Sequence, residues 1–163
     1  MGRSRGSRSK ALYTESERSR RDASPWTLVQ AVLAPIQFVV FLISLALVVR
    51  YLLTGQGFEA ATISIVVKTL TLYAIMITGS IWEREVFGRY LFAPAFFWED
   101  VFSMLVIALH TAYLVALFGG MLGTRGQLVL ALAAFAAYVV NATQFLLKLR
   151  SARIDHERAG ATS

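Results

Sequence analysis

The chain has 163 residues, 56% of them hydrophobic and only 16% charged, with a formal net charge of +6. That balance excludes an ordinary soluble domain, whose few charges could not keep so much apolar surface in water. With no cysteine in the sequence, structural disulfides, thiolate metal sites and cysteine nucleophiles are excluded as well.

The chain opens on a basic head. Seven of the 16 Lys and Arg residues precede residue 22 (Arg3, Arg5, Arg8, Lys10, Arg18, Arg20 and Arg21), amid serines and little that is apolar. Residues 1–23 therefore read as a disordered tail drawn to anionic lipid. Nucleic acid is not expected as its partner, because membrane proteins carry such tails for topology alone. Ser24, Pro25 and Trp26 then suit an N-cap, a first helical turn and the headgroup level. The apolar run behind them, 28–53, is too long for a signal-peptide core. Gln30, Gln37, Ser44 and Tyr51 recur along it at heptad spacing, a stripe that should face a neighbouring helix.

Three further runs follow at 61–82, 101–118 and 127–149, each near the ~20 residues a helix needs to span ~30 Å of hydrocarbon. None shows the alternation of a membrane barrel, so the predicted fold is an all-α integral membrane four-helix bundle over 24–153. Lys68 lies about 12 Å into the second run and His110 about 15 Å into the third. Lys68 either snorkels to the outer face or points inward. Glu99, Ser103, Val106 and His110 fall on one helical stripe, placing a carboxylate at the membrane entrance and an imidazole at its centre on the same face. Asn141, Gln144 and Lys148 share a face of the fourth run, while Ala133 and Ala137, with other alanines of that run, should permit close packing. Residues 154–163 read as a second tail. Four basic residues (Lys148, Arg150, Arg153 and Arg158) close the chain, so both ends and the 83–99 connection are expected on the cytoplasmic side.

That connection is the unusual segment. Residues 82–98 hold seven aromatics (Trp82, Phe87, Tyr90, Phe92, Phe96, Phe97 and Trp98), flanked by Glu83, Glu85, Glu99 and Asp100. An interfacial belt accounts for the rings. An aromatic-walled pocket with nearby acids accounts for the carboxylates too, and could hold a large planar ligand and deliver a proton to it. There is no internal repeat, phosphate loop or zinc or calcium pattern. Residue by residue, a membrane scaffold, a pigment-binding assembly factor and an enzyme all remain open; short length and the lack of paired broken helices argue against a transporter.

Several segments then resemble one family: Leu12-Tyr13-Thr14, Ser24-Pro25-Trp26-Thr27-Leu28-Val29-Gln30, Val67-Lys68-Thr69-Leu70, Ile81-Trp82-Glu83, and Tyr90 through Asp100. Ala108-Leu109-His110-Thr111-Ala112-Tyr113 and Asn141 with Gln144-Phe145-Leu146-Leu147-Lys148 complete the likeness, which covers about 11–153. The chain is similar to the vinyl bacteriochlorophyllide hydratases, also called chlorophyllide a hydratases, of bacteriochlorophyll biosynthesis. The resemblance implies hydration of a ring A vinyl group on a magnesium chlorin to a 1-hydroxyethyl group, in a bacterial cytoplasmic or intracytoplasmic photosynthetic membrane. Water is then the co-substrate, and no cofactor is implied beyond the substrate's own magnesium.

Such a reaction needs a protonated carboxyl group, a group that holds water, and a dry planar slot. Glu99, or Glu83 across the connection, is the expected acid, with Asp100 holding or deprotonating water. His110 is expected either as axial ligand of the chlorin magnesium or as the base that activates water. Trp82, Tyr90, Phe96, Phe97 and Trp98 should hold the ring, with Lys68 and Asn141 as further substrate contacts. Arg89 or Arg84 should meet the propionate carboxylate. A homo-oligomer, or contact with neighbouring pathway enzymes, is the expected setting, because four short spans enclose little volume.

Overall fold

The computed structural model describes residues 11–161. These form five helices: α1 (Glu15–Ala23), α2 (Pro25–Thr54), α3 (Phe58–Phe87), α4 (Phe97–Phe118) and α5 (Thr124–Gly160). The last four are long and apolar enough to cross a bilayer. Each starts about a turn before its expected run, because capping and first-turn residues lie outside the apolar stretch that hydropathy detects. Ser24 caps α2 as expected: its Oγ accepts the Trp26 N–H at 3.3 Å, with Pro25 in the first turn.

Two stretches expected to be tails are helical. Thr14 and Glu17 form a reciprocal capping box that starts α1, and Tyr13 just before it is buried against Phe87 and Phe96. At the other end α5 continues past 153 to Gly160, supported by the Arg153–Glu157 pair at 3.0 Å and by a 3.0 Å contact from Arg18 to His156. Composition missed both because their stability comes from caps and a few tertiary contacts rather than an apolar face. The basic head through residue 10, and residues 162–163 of the other tail, lie outside the described residues.

α2 lies along α3 and α4 along α5; the two hairpins join through α3 with α4 and α2 with α5. The polar stripe of α2 faces α3, as its spacing requires. Gln30 donates to Thr78 Oγ1 at 2.7 Å, Gln37 Oε1 accepts from Thr71 at 2.5 Å, Ser44 and Ser64 meet at 2.9 Å, and the Tyr51 ring packs on Phe58. The core between the hairpins is built from Phe41, Val48, Ile65, Leu72, Val106, Tyr113, Leu128 and Phe135. Close packing on α5 falls to Ala131 and Ala134, which are buried, and to Ala137, half-buried against the core as expected, whereas Ala133 is exposed. Gln127 and Asn141 turn this helix toward α4, donating to Tyr113 O and Ser103 Oγ, while Tyr138 packs on Phe41 and under Lys68. Leu28, Leu53, Ile77 and Val115 point outward, as a lipid-facing surface requires.

Candidate active site

The α3–α4 connection is shorter than the sequence implies. α3 runs through Trp82 and Glu83 to Phe87 and stops at Gly88, whose φ of +80° suits glycine and whose N–H reaches Arg84 O at 2.9 Å. Residues 88–96 then turn the chain back into α4. Within this turn Phe92 adopts φ +60°, a left-handed conformation that costs a non-glycine residue about 1 kcal/mol or more.

Two carboxyl groups hold that conformation. Asp100 Oδ2 accepts the Phe92 N–H at 2.8 Å, and Glu83 Oε1 accepts the Ala93 N–H at 2.7 Å. Consecutive backbone N–H groups around a left-handed residue form a natural anion nest. Here one carboxyl comes from the end of α3 and the other from the first turn of α4. Both are buried, and because they hold consecutive N–H groups of one turn they lie close enough to interact with each other.

The third acid is engaged differently. Glu99 Oε2 lies 2.9 Å from Lys148 Nζ on α5. Ser103 donates to the Glu99 backbone carbonyl at 2.9 Å, and Asn141 Nδ2 donates to Ser103 Oγ at 2.8 Å. Lys148 also sits 5.4 Å from the Phe96 ring, and Asp100 lies within electrostatic reach of both Glu99 and Lys148. Three carboxyl groups and one ammonium group thus gather at the loop end of α3, α4 and α5.

The aromatics of this end divide into two sets. The inner set is a continuous cluster: Phe96 packs on Trp82, Phe87 and Phe145, and Tyr13 stacks on Phe87 at 5.8 Å and 14°. Trp82 Nε1 donates to Thr27 Oγ1 at 2.9 Å, tying the cluster to α2. Burial pushes the Tyr13 phenol above its usual range, while the Arg21 guanidinium beside it pulls the other way. The outer set, Tyr90, Phe92, Phe97 and Trp98, is exposed, with Phe97 linking Phe92 at 5.8 Å and Trp98 at 5.5 Å. Arg84 lies over the Tyr90 ring at 4.6 Å. Arg89 is exposed beside it.

Lys68 and His110 form a separate group deep in the bundle, and both are fully buried. Lys68 does not snorkel: its Nζ lies 3.5 Å from the Tyr138 ring centroid and 5.3 Å from that of Phe41. His110 Nδ1 bonds to Val106 O at 2.8 Å and so donates, because a carbonyl can only accept; its Nε2 is left as the acceptor. Neither Lys68 Nζ nor His110 Nε2 has a hydrogen-bond partner among the described residues.

Of the expected site residues, Glu83, Glu99, Asp100, Asn141, Trp82 and Phe96 come together at the loop end. Tyr90, Phe97 and Trp98 lie on its outer surface, and Lys68 and His110 lie apart. The Glu99–Ser103–Val106–His110 stripe does face the interior, as its spacing requires. What the sequence reading missed as site members are Lys148, Phe145 and Tyr13. The first two share the Asn141 face at i+7 and i+4, a signal that was present in the spacing. Tyr13 carries no periodic signal, because it precedes a helix that composition does not announce.

A family model described as 2-vinyl bacteriochlorophyllide hydratase matches residues 13–151. A protein named 2-vinyl bacteriochlorophyllide hydratase from Rhodobacter capsulatus is 70% identical over 146 residues, 90% of this chain and 85% of its own. A second of that name from Cereibacter sphaeroides is 66% identical over 149 residues, 91% of this chain and 92% of its own. No solved structure matches the chain.

Proposed function

We infer how the site works from one premise: the chain belongs to the 2-vinyl bacteriochlorophyllide hydratase family and adds water to the vinyl group of a bacteriochlorophyll precursor. The observation that carries the inference is the meeting of Glu83 and Asp100, each also holding one backbone N–H of the strained turn. Two buried carboxyl groups held this close together raise each other's proton affinity and favour a proton on one of them. That shared proton is the one the reaction requires.

Protonation at the terminal vinyl carbon leaves a cation on the carbon attached to ring A, delocalised into the macrocycle. Water adds to that carbon and releases one proton, giving the 1-hydroxyethyl group. Glu83 and Asp100 supply the first proton. Glu99, the anionic member of an ion pair with Lys148, suits the opposite task of taking the proton released by water. One proton leaves the acid pair and one returns through the neighbouring Glu99, so the site is reset without any further reagent.

The substrate, chlorophyllide a or vinyl bacteriochlorophyllide, approaches from the bilayer and lies against the outer rings Tyr90, Phe92, Phe97 and Trp98. Its propionate reaches the exposed Arg89, and the inner cluster around Trp82 and Phe96 stiffens the wall behind it. No cofactor is called for beyond the magnesium the substrate brings. His110 does not ligate that magnesium in this reading. Eleven residues of helix separate it from Glu99, roughly 16 Å of rise, whereas the vinyl group lies within a ring radius of the metal.

The charge bias of the chain supports placing both ends and the 88–96 turn on the cytoplasmic side of a bacterial inner or photosynthetic membrane, with four crossings. The test of the acid pair uses membranes containing the protein, chlorophyllide a, and water enriched in heavy oxygen. The parent protein forms labelled hydroxyethyl product, and Glu83→Gln loses about a hundred- to ten-thousandfold in rate at unchanged abundance. Near-normal turnover by Glu83→Gln and by Asp100→Asn would remove the pair from the chemistry.

A further inference from the structure

We propose that Asn141 and Gln144 on α5 hold the water molecule that attacks the substrate. The hydrogen-bond chain fixes how the Asn141 amide must lie. Ser103 has a single proton, and it goes to the Glu99 carbonyl. Its oxygen can therefore only accept from Asn141, so the NH2 group faces Ser103 and Oδ1 faces away.

Asn141 Oδ1 is buried and has no partner among the described residues, and the same holds for Gln144 Oε1. An unpaired buried carbonyl oxygen costs about 1–3 kcal/mol. Two of them, three residues apart on one helix face, lie close enough to be bridged by a single small donor. A water molecule has two hydrogens to give two acceptors, and buried waters characteristically satisfy such groups.

The position suits the reaction. Lys148, four residues beyond Gln144 on the same face, is bonded to Glu99, and Phe145 beside Gln144 stacks on Phe96 at the loop. A water whose hydrogens rest on two amide oxygens presents a lone pair to the cation, and once the C–O bond has formed the protonated hydroxyl swings one hydrogen from its amide oxygen to the Glu99 carboxylate, which takes the proton. Asn141 and Gln144 are then positioning residues that act through the water.

This assignment rests on the acid-pair reading, and one experiment separates the two. Membranes containing the protein receive the vinyl chlorin in deuterated water; hydroxyethyl product and deuterium in the terminal vinyl carbon of unreacted substrate are both measured. If the acid works but water is misplaced, the cation loses a proton and returns to substrate carrying deuterium. Gln144→Met and Asn141→Leu are expected to lose at least about tenfold in hydration while deuterium exchange per hydration rises. Their bound-chlorin absorption band should stay as in the parent. Glu83→Gln, by contrast, should lose exchange and hydration together. Gln144→Met keeps the shape of a partly exposed side chain, so it carries the test even if Asn141→Leu fails to reach the membrane. Hydration by Gln144→Met within about twofold of the parent, or exchange falling in step with hydration, would overturn the assignment. Exchange surviving in Glu83→Gln would instead overturn the acid pair and leave the water site standing.

Discussion

Two buried polar groups lie along α4, one at its loop end and one deep in the bundle, and they are satisfied in opposite ways. At the loop end Glu99 pairs with Lys148, and Asp100 binds the Phe92 N–H and meets Glu83, so every carboxyl group has a specific partner. About three turns deeper, His110 Nε2 and Lys68 Nζ are equally buried and have no hydrogen-bond partner among the described residues, Lys68 resting instead on the Tyr138 ring. Burial alone therefore does not mark the reacting site. What marks it is burial together with partners that fix the position of each charge and proton, because an acid can transfer a proton only from a defined place.

Five substitutions test that contrast. The largest effect is expected at the acid pair: Asp100→Asn should lower hydration about a hundredfold or more. Its amide oxygen can still accept the Phe92 N–H, so membrane abundance and helicity by circular dichroism should hold. Next, Lys148→Met strands the Glu99 carboxylate. Thermal unfolding in detergent should show a loss of about 2 kcal/mol, with turnover down about tenfold.

A smaller and opposite effect is expected at the turn. Phe92→Gly relieves the left-handed strain and should raise stability by about 1 kcal/mol. It also removes one outer ring, so KM for the chlorin should rise a few-fold with kcat little changed. A kcat loss instead would mean that the strain itself positions the acid pair. The smallest effects belong to the deep group. Lys68→Met should be neutral or stabilising by about 1 kcal/mol, since an apolar side chain removes a buried donor that lacks an acceptor. His110→Leu should leave the absorption band of bound chlorin unshifted. A shifted band would return His110 to the magnesium and collapse the contrast between the two ends of the stripe.

Much of this architecture could be read along the chain. Four apolar runs gave the four long helices, Ser24-Pro25 gave the start of the first, and the heptad stripe of α2 pointed to the helix it meets. The carboxylates and rings of 82–100 located the site, because such a density of both is hard to reconcile with a lipid-facing span or a solvated loop. Other features were out of reach. α1 depends on a cap and on Tyr13 finding a cluster assembled from α3, α5 and the turn, contacts that no local pattern encodes. The meeting of Tyr138 with Phe41 on α2 and Lys68 on α3 is likewise a contact between distant segments.

The sequence by itself determined that this is an all-α protein with four membrane-length helices, and which acids and aromatics gather near the α3–α4 turn, because hydropathy and helical periodicity act within a segment. Only the tertiary structure decided which partner each acid meets. Glu83 and Asp100 lie seventeen residues apart in the chain and meet only because the turn folds α3 back against α4. Glu99, next to Asp100 in sequence, points along a different face of α4 and meets Lys148 from α5. Adjacent residues on a helix diverge by about 100°, so the chain could present all three acids without saying which two would share a proton.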